Sequence, residues 1–356
     1  MMSAVTRAAL LPLLLGLAAG CGGPQPSAGI VGPPPPARLS PPEGAARADH
    51  VVLISIDGLR PDAIEEAPAP HLLGLIRRGA WCPTARTVLP SVTLPSHAAM
   101  LTGLDYARHR VTWNNYRPGH IPHPTVLSVA SQSGLTTAML FSKDKFHFLA
   151  NPYAVSWIYG SPPPLRMPLR EDYDDPAWVE KRLRQEEEAE KRPPSSRPSI
   201  PRPSDHRTSA EGLARAFAEV WPREPFALTF IHLREPDEAG HRRGWMGLDY
   251  LHAVREADRA VGRIIEAVEA SGRLDRTAIV VSSDHGGSGR GHYRFTEPNR
   301  AENVTIPWIC AGPGVRPGTV IDRVVRTYDT APTVLALLGL GAPEGIDGRP
   351  VAEVLR

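Results

Sequence analysis

Cysteine is scarce in this chain: three residues among 356. One of them, Cys21, closes an N-terminal apolar run, so Cys82 and Cys310 are left with at most one disulfide between them. Cys310 sits in an apolar, strand-like run, and a small buried hydrophobe is the equal alternative. Charge of one sign is lacking too. The formal balance is +2 with both signs mixed along the chain, and a nucleic-acid surface, which needs a concentrated basic face, is not expected. The N-terminus also lacks a membrane span, because the run from Ala8 to Ala19 is too short to cross a bilayer as a lasting helix. With Arg7 before it and Ala18-Ala19-Gly20-Cys21 after it, residues 1–20 read as a signal peptide of the lipoprotein type. Cleavage before Cys21 and lipidation of its thiol are expected, with plain secretion as the alternative. Either way the mature chain leaves the cytoplasm, and lipidation would anchor it to a bacterial membrane in the periplasm or outer membrane.

What is present begins with Pro, Gly, Ala and Ser. Residues 21–48 hold Pro33 to Pro36 and too little apolar surface to fold, which predicts a disordered tether. Residues 49–356 then alternate strand and helix patterns. Buried strands are expected at His50–Ile56, Leu135–Phe141, Phe226–Leu233 and Ala278–Val281, with a short one at Arg86–Leu89 and further ones at Ile306–Gly314 and Val320–Val325. Helices are expected at Ala69–Arg78, from Pro95 to Leu101, at Ser209–Val220, Leu248–Val268 and Thr330–Leu338. Residues 161–206, Pro-rich and charged, read as a partly disordered surface insertion. This alternation predicts an α/β fold, a doubly wound, mostly parallel sheet flanked by helices.

The residues able to do chemistry follow the strands. The run TAIVVSSDHGG delivers Asp284 and His285 at a strand's carboxyl end, where open α/β sheets keep their ligands. Four glycines then let a loop turn back to His292. Asp57 follows the first strand and stands beside Asp284 if those strands are neighbours, although an isolated Asp there is often a helix cap. Thr93 lies at a strand-to-helix junction, near amides that favour an anion, and capping alone would also explain it. Asp237 and His241, four apart after a buried strand, share one face of a helical turn. Lys143 and Lys145 follow another strand, where they either face a phosphate or line a solvated edge. His97, one turn into its helix, reads as structural. Three carboxylates and three imidazoles suit two divalent ions, and the mixed nitrogen and oxygen set favours zinc over other divalent metals.

In order and spacing these motifs resemble the alkaline phosphatase superfamily, and within it the type I phosphodiesterase/nucleotide pyrophosphatase branch. The resemblance runs over most of 50–340. It implies one zinc on Asp57, Asp284 and His285, with Thr93 facing it as nucleophile, and a second on Asp237, His241 and His292. The implied activity is hydrolysis of phosphodiester or nucleotide pyrophosphate bonds in a small phosphorylated substrate through a phosphothreonine. Two departures bear on substrate. Ser96 stands where the family carries an asparagine that donates to the phosphoryl oxygen. Lys143-Asp144-Lys145 resembles a run with which some extracellular alkaline phosphatases grip a phosphate monoester, so phosphomonoesterase and phosphonoacetate hydrolase-like activities are alternatives, as is a catalytically silent, lipid-anchored binding protein. Cys82-Pro83-Thr84-Ala85-Arg86 does not match the sulfatase pattern C-x-P-x-R, because its proline comes one position early.

Overall fold

The computed structural model describes residues 48–163, 206–292 and 300–355. The expected signal peptide, Cys21 and nearly all of the expected tether and insertion lie outside the described residues. Eight strands form one sheet in the order β4-β3-β5-β1-β6-β7-β2-β8. They are β1 (His50–Ile56), β2 (Ala80–Arg86), β3 (Thr137–Phe141), β4 (Trp157–Gly160), β5 (Leu228–Leu233), β6 (Thr277–Ser282), β7 (Thr305–Ala311) and β8 (Thr319–Val320). β7 alone runs antiparallel to its neighbours, and every other pairing is parallel. The sheet is therefore mixed but mostly parallel.

The central strands are mostly apolar and buried on nearly every residue because both their faces are covered. Along β1, Val51 and Leu53 enter one core while Val52, Ile54 and Ile56 enter the other; β6 divides Ala278 and Val280 from Ile279 and Val281 in the same way. Each such side chain contributes about 1.5–3 kcal/mol on burial. One face is covered by α2 (Thr93–Thr102), α3 (Val126–Gln132) and α7 (Thr330–Leu337), the other by α1 (Pro70–Arg78), α4 (Ala210–Val220) and α6 (Leu248–Ala270). A further helix, α5 (Glu235–Arg243), follows β5 directly.

The outer elements depart from expectation. The strand expected at Arg86–Leu89 lies earlier, at Ala80–Arg86, where a bulge between Cys82 and Ala85 accommodates Pro83. The strand expected over Val320–Val325 shrinks to Thr319–Val320 at the sheet edge. β4 and α3 carried no earlier signal. α2 starts at Thr93 rather than Pro95, which puts the threonine itself in the first helical turn. Cys82 and Cys310 are both buried free thiols. Burial pushes Cys310 up to about 12.

Candidate active site

β3, β5, β1 and β6 are consecutive in the sheet, so their carboxyl ends open on one place. Asp57 follows β1, Ser142 and Lys143 follow β3, Asp237 lies in the first turn of α5 after β5, and Asp284 and His285 follow β6. Backbone contacts fix this convergence. Asp237 N–H donates to Asp57 O (3.0 Å), and Gly58 N–H donates to Asp284 Oδ1 (3.1 Å). Gly58 has φ +72°, and a Cβ there would come within 2.9 Å of the Asp237 Cα. Only glycine lets the two chain segments approach so closely.

The glycine-rich loop after His285 is packed rather than loose. Gly286 N–H and Gly287 N–H donate to Asn303 O and Glu302 O, and a Cβ on Gly287 would meet the Trp245 ring at 2.2 Å. Close approach accounts for Gly286 and Gly287, whereas Gly289 takes φ +55° with nothing near its Cβ position. The loop returns His292, buried, onto the segment before Thr93, where its Nδ1 donates to Ser91 O and the Ser91 hydroxyl donates to His292 O. His292 and His285 stack with ring centroids 3.6 Å apart.

The hydrogen bonds around the cluster leave several buried acceptors facing one another. His285 Nδ1 donates to Gly286 O (2.8 Å), which leaves Nε2 a lone pair in the neutral ring. That lone pair faces Asp57 Oδ1 at 3.3 Å, Asp284 Oδ2 at 3.3 Å and Asp237 Oδ1 at 3.9 Å. All four atoms are buried without a hydrogen-bond partner. His241 Nδ1 likewise donates to Arg290 O (3.1 Å), and its Nε2 lies 3.1 Å from His292 Nε2 and 3.3 Å from Asp237 Oδ1. Acceptors facing acceptors need a proton or a metal cation between them. Two groups of ligand atoms result, Asp57 with Asp237 and His285, and Asp237 with His241 and His292. Asp237 is common to both. These donors fit divalent metal ions.

Electrostatics agree. Burial and the neighbouring Asp57 charge push the Asp284 carboxyl well above its usual range. Burial also lowers His285, and, with His285 alongside, His292. Burial opposes ionisation of Asp237, yet the Lys143 ammonium and His241 hold its carboxyl well below the ordinary value. Burial lowers His241 as well, but the Asp237 charge outweighs it and raises this imidazole.

Thr93 is buried at the start of α2. Its carbonyl accepts from His97 Nδ1 (2.7 Å), an atom that also lies 3.6 Å from Asp284 Oδ2, while His97 Nε2 accepts from Ser55 Oγ (2.7 Å). His97 is thereby a fully buried link between the threonine turn and the carboxylates. Ser96 is turned away: its hydroxyl is buried and accepts from Thr87 Oγ1 (3.0 Å). Lys145 reaches Asn114, donating to its Oδ1 (2.9 Å) and O (3.1 Å). Burial and the Lys143 charge push Lys145 down to about 8. Asn114 Oδ1 also accepts from Leu94 N–H (2.9 Å), so this exposed asparagine caps the helix that carries Thr93 and turns its amide nitrogen elsewhere.

Asn114 had no signal, since it lies in a loop far from any motif. His232 had one that went unread, an imidazole inside the apolar run FIHL. Buried and pushed down to about 4 by burial, it is a neutral ring whose Nε2 donates to Asp57 Oδ2 (2.9 Å) while Nδ1 accepts from Ser142 Oγ (2.9 Å).

The type I phosphodiesterase/nucleotide pyrophosphatase model matches residues 51–290. The chain belongs to this family. It is a branch of the alkaline phosphatase superfamily, whose members are hydrolases of phosphate or sulfate esters that use divalent metals. Among curated relatives, arylsulfatase K of Xenopus laevis is 25% identical over 340 residues, covering 80% of this chain and 61% of the relative. Human arylsulfatase K is 31% identical over 100 residues, 28% of this chain and 19% of the relative. The chain thus spans less than two-thirds of either protein's length. Murine ectonucleotide pyrophosphatase/phosphodiesterase 5, solved in complex with AMP, superposes with a TM-score of 0.61 at 14% identity, over 86% of this chain and 100% of that one. A phosphonate monoester hydrolase from Silicibacter pomeroyi gives 0.54 at 20% identity, over 85% and 76%. The two solved structures share the fold.

Proposed function

We propose that this protein is a metal-dependent phosphoesterase that cleaves phosphodiester or nucleotide pyrophosphate bonds, with Thr93 as nucleophile. The observation that carries this reading is the ring of buried acceptors, Asp57 Oδ1, Asp237 Oδ1, Asp284 Oδ2 and His285 Nε2, that have no donor among them. Asp57, Asp284 and His285 would hold one zinc and Asp237, His241 and His292 the other, with Asp237 Oδ1 placed to serve both. Metal ions there supply charge neutralisation at phosphorus and a lower pKa for a nearby hydroxyl.

The chain's own residues do the rest. Thr93 Oγ1 attacks phosphorus, the bond to the leaving oxygen breaks, and the leaving group departs carrying the proton that the hydroxyl gives up, so a phosphothreonine that still bears the second ester group forms. Water then attacks phosphorus, one of its protons restores the threonine hydroxyl, and a phosphate monoester is released. His97, bonded to the Thr93 carbonyl, keeps the threonine turn against Asp284. The Asn114 amide, beside the first turn of α2, would donate to a phosphoryl oxygen in the role expected at Ser96. Export and anchoring through Cys21 would put this chemistry outside the cytoplasm.

The likeness to arylsulfatase K favours sulfate esters as the second reading. Against it stands the chemistry at the helix start, a threonine, while Cys82 is buried within β2 with its thiol toward Arg323 O (3.6 Å). Purified protein tested on bis-p-nitrophenyl phosphate, p-nitrophenyl phosphate and p-nitrophenyl sulfate, before and after chelation, separates the readings. The diester should turn over fastest and chelator should stop it. Sulfate turnover above both phosphates would overturn the proposal.

A further inference from the structure

Lys143 occupies a position that no substrate-gripping role explains. Its Nζ donates to Asp57 Oδ2 and to Asp237 Oδ2, both at 2.6 Å. These are the outer oxygens of the two carboxylates. The inner oxygens, Asp57 Oδ1 and Asp237 Oδ1, have no hydrogen-bond partner and face His285 Nε2. The two oxygens of each carboxylate are thus divided between different tasks. One side is already satisfied by a cation belonging to the chain, and the other is open to a cation from outside.

The surroundings hold this division in place. Asp57 Oδ2 also accepts from His232 Nε2 (2.9 Å), and His232 Nδ1 accepts from Ser142 Oγ (2.9 Å). Ser142 and Lys143 are consecutive at the end of β3. One therefore reaches the outer oxygen of Asp57 directly and its neighbour reaches it through an imidazole. The Lys143 side chain is 16% exposed and the two carboxylates 0% and 6%, so the pair is shielded from the solvent that weakens surface ion pairs. A lysine reserved for a substrate phosphate would keep its ammonium toward the open mouth of the site. Lys145, whose ammonium lies on exposed Asn114, is the better placed of the two for that task.

We propose that Lys143 is the resident counter-ion of the site, bound to the outer oxygens of Asp57 and Asp237 whether or not metal is present, so that it sets the charge seen by the metal rather than gripping substrate. This rests on the reading of the carboxylate cluster as a cation site. It makes Lys143 a positioning residue with a cost: its positive charge opposes the entry of a divalent ion, while its two hydrogen bonds aim the inner oxygens. Removing the charge and keeping the shape should leave the carboxylates more attractive to a cation.

Two measurements on the full chain test it. The first is the crystal structure of the zinc-loaded protein, alone and with vanadate as a phosphoryl mimic. Lys143 Nζ should remain in hydrogen-bond contact with both outer oxygens in each. An ammonium found on the vanadate, or displaced by a metal ion, overturns the proposal. The second is zinc titration of the parent and of Lys143→Met by calorimetry. The variant should bind zinc at least tenfold more tightly. A Kd that is unchanged or weaker, in a variant with the parent's circular dichroism, overturns it, and should the variant fail to fold the zinc-loaded parent structure decides alone. A parent that binds no zinc, cobalt or manganese would instead sink the proposed function, an outcome distinct from tight binding with Lys143 swung away.

Discussion

His292 and Ser91 exchange two hydrogen bonds, ring nitrogen to carbonyl and hydroxyl to carbonyl. Only Val92 separates Ser91 from Thr93, so the glycine-rich loop and the nucleophile's turn are held as one piece. Ser91→Ala keeps the acceptor for the ring and removes the hydroxyl that satisfies the buried carbonyl. The expected cost is about 1–2 kcal/mol in unfolding free energy, read from denaturant unfolding, with zinc affinity weakened because His292 is less well held. Unchanged values for both would show that the loop is fixed by other contacts.

Asp237 is the ligand common to both groups of donors. Asp237→Ala should therefore deplete both metals, whereas His241→Ala should spare the group containing Asp57 and His285. Metal analysis after dialysis against limiting zinc gives the count. Equal stoichiometry in the two variants would remove Asp237 from its shared position.

Stability should respond to pH through His109, far from the metals in sequence and outside the donor groups. Its Nδ1 accepts from Val111 N–H (3.0 Å) and burial, aided by the His123 charge, pushes it down to about 4 from the usual 6.5. The depressed imidazole favours the folded state fully above pH 6.5, where both states are neutral. As pH falls from 6.5 toward 4, the unfolded chain takes up a proton that the folded chain refuses, and up to about 3 kcal/mol is lost. The dependence of the urea midpoint on pH in this window should be shallower in His109→Gln than in the parent.

Much of the fold was legible because the central strands are buried on both faces. β1, β5 and β6 are dominated by apolar residues, and each is followed within a few residues by a residue of the site. β2 was misplaced because Pro83 reads as a strand breaker, and only pairing with β7 through a bulge shows how it is tolerated. β8 is two residues long and leaves almost no pattern. Within the site, types and order could be read from Asp57, Asp237, His241, Asp284, His285 and His292, whose positions after strands bring them together. The partners of Lys143 could not. A lysine after β3 reaches Asp57 after β1 only because β5 alone separates the two strands, a fact of sheet order that local sequence does not carry. Ser96 shows the converse, since its place in the helix gave no sign that its hydroxyl turns inward to Thr87.

Thr93 is the residue on which the proposed chemistry depends. With zinc restored and bis-p-nitrophenyl phosphate as substrate, acid-quenched protein should carry a p-nitrophenyl phosphoryl group on the peptide containing Thr93, detected by mass spectrometry. Thr93→Ala should lose about 10³-fold or more in kcat while retaining the parent's metal content. That adduct on another residue, or near-parental turnover by Thr93→Ala, would contradict the assignment of this threonine as the nucleophile.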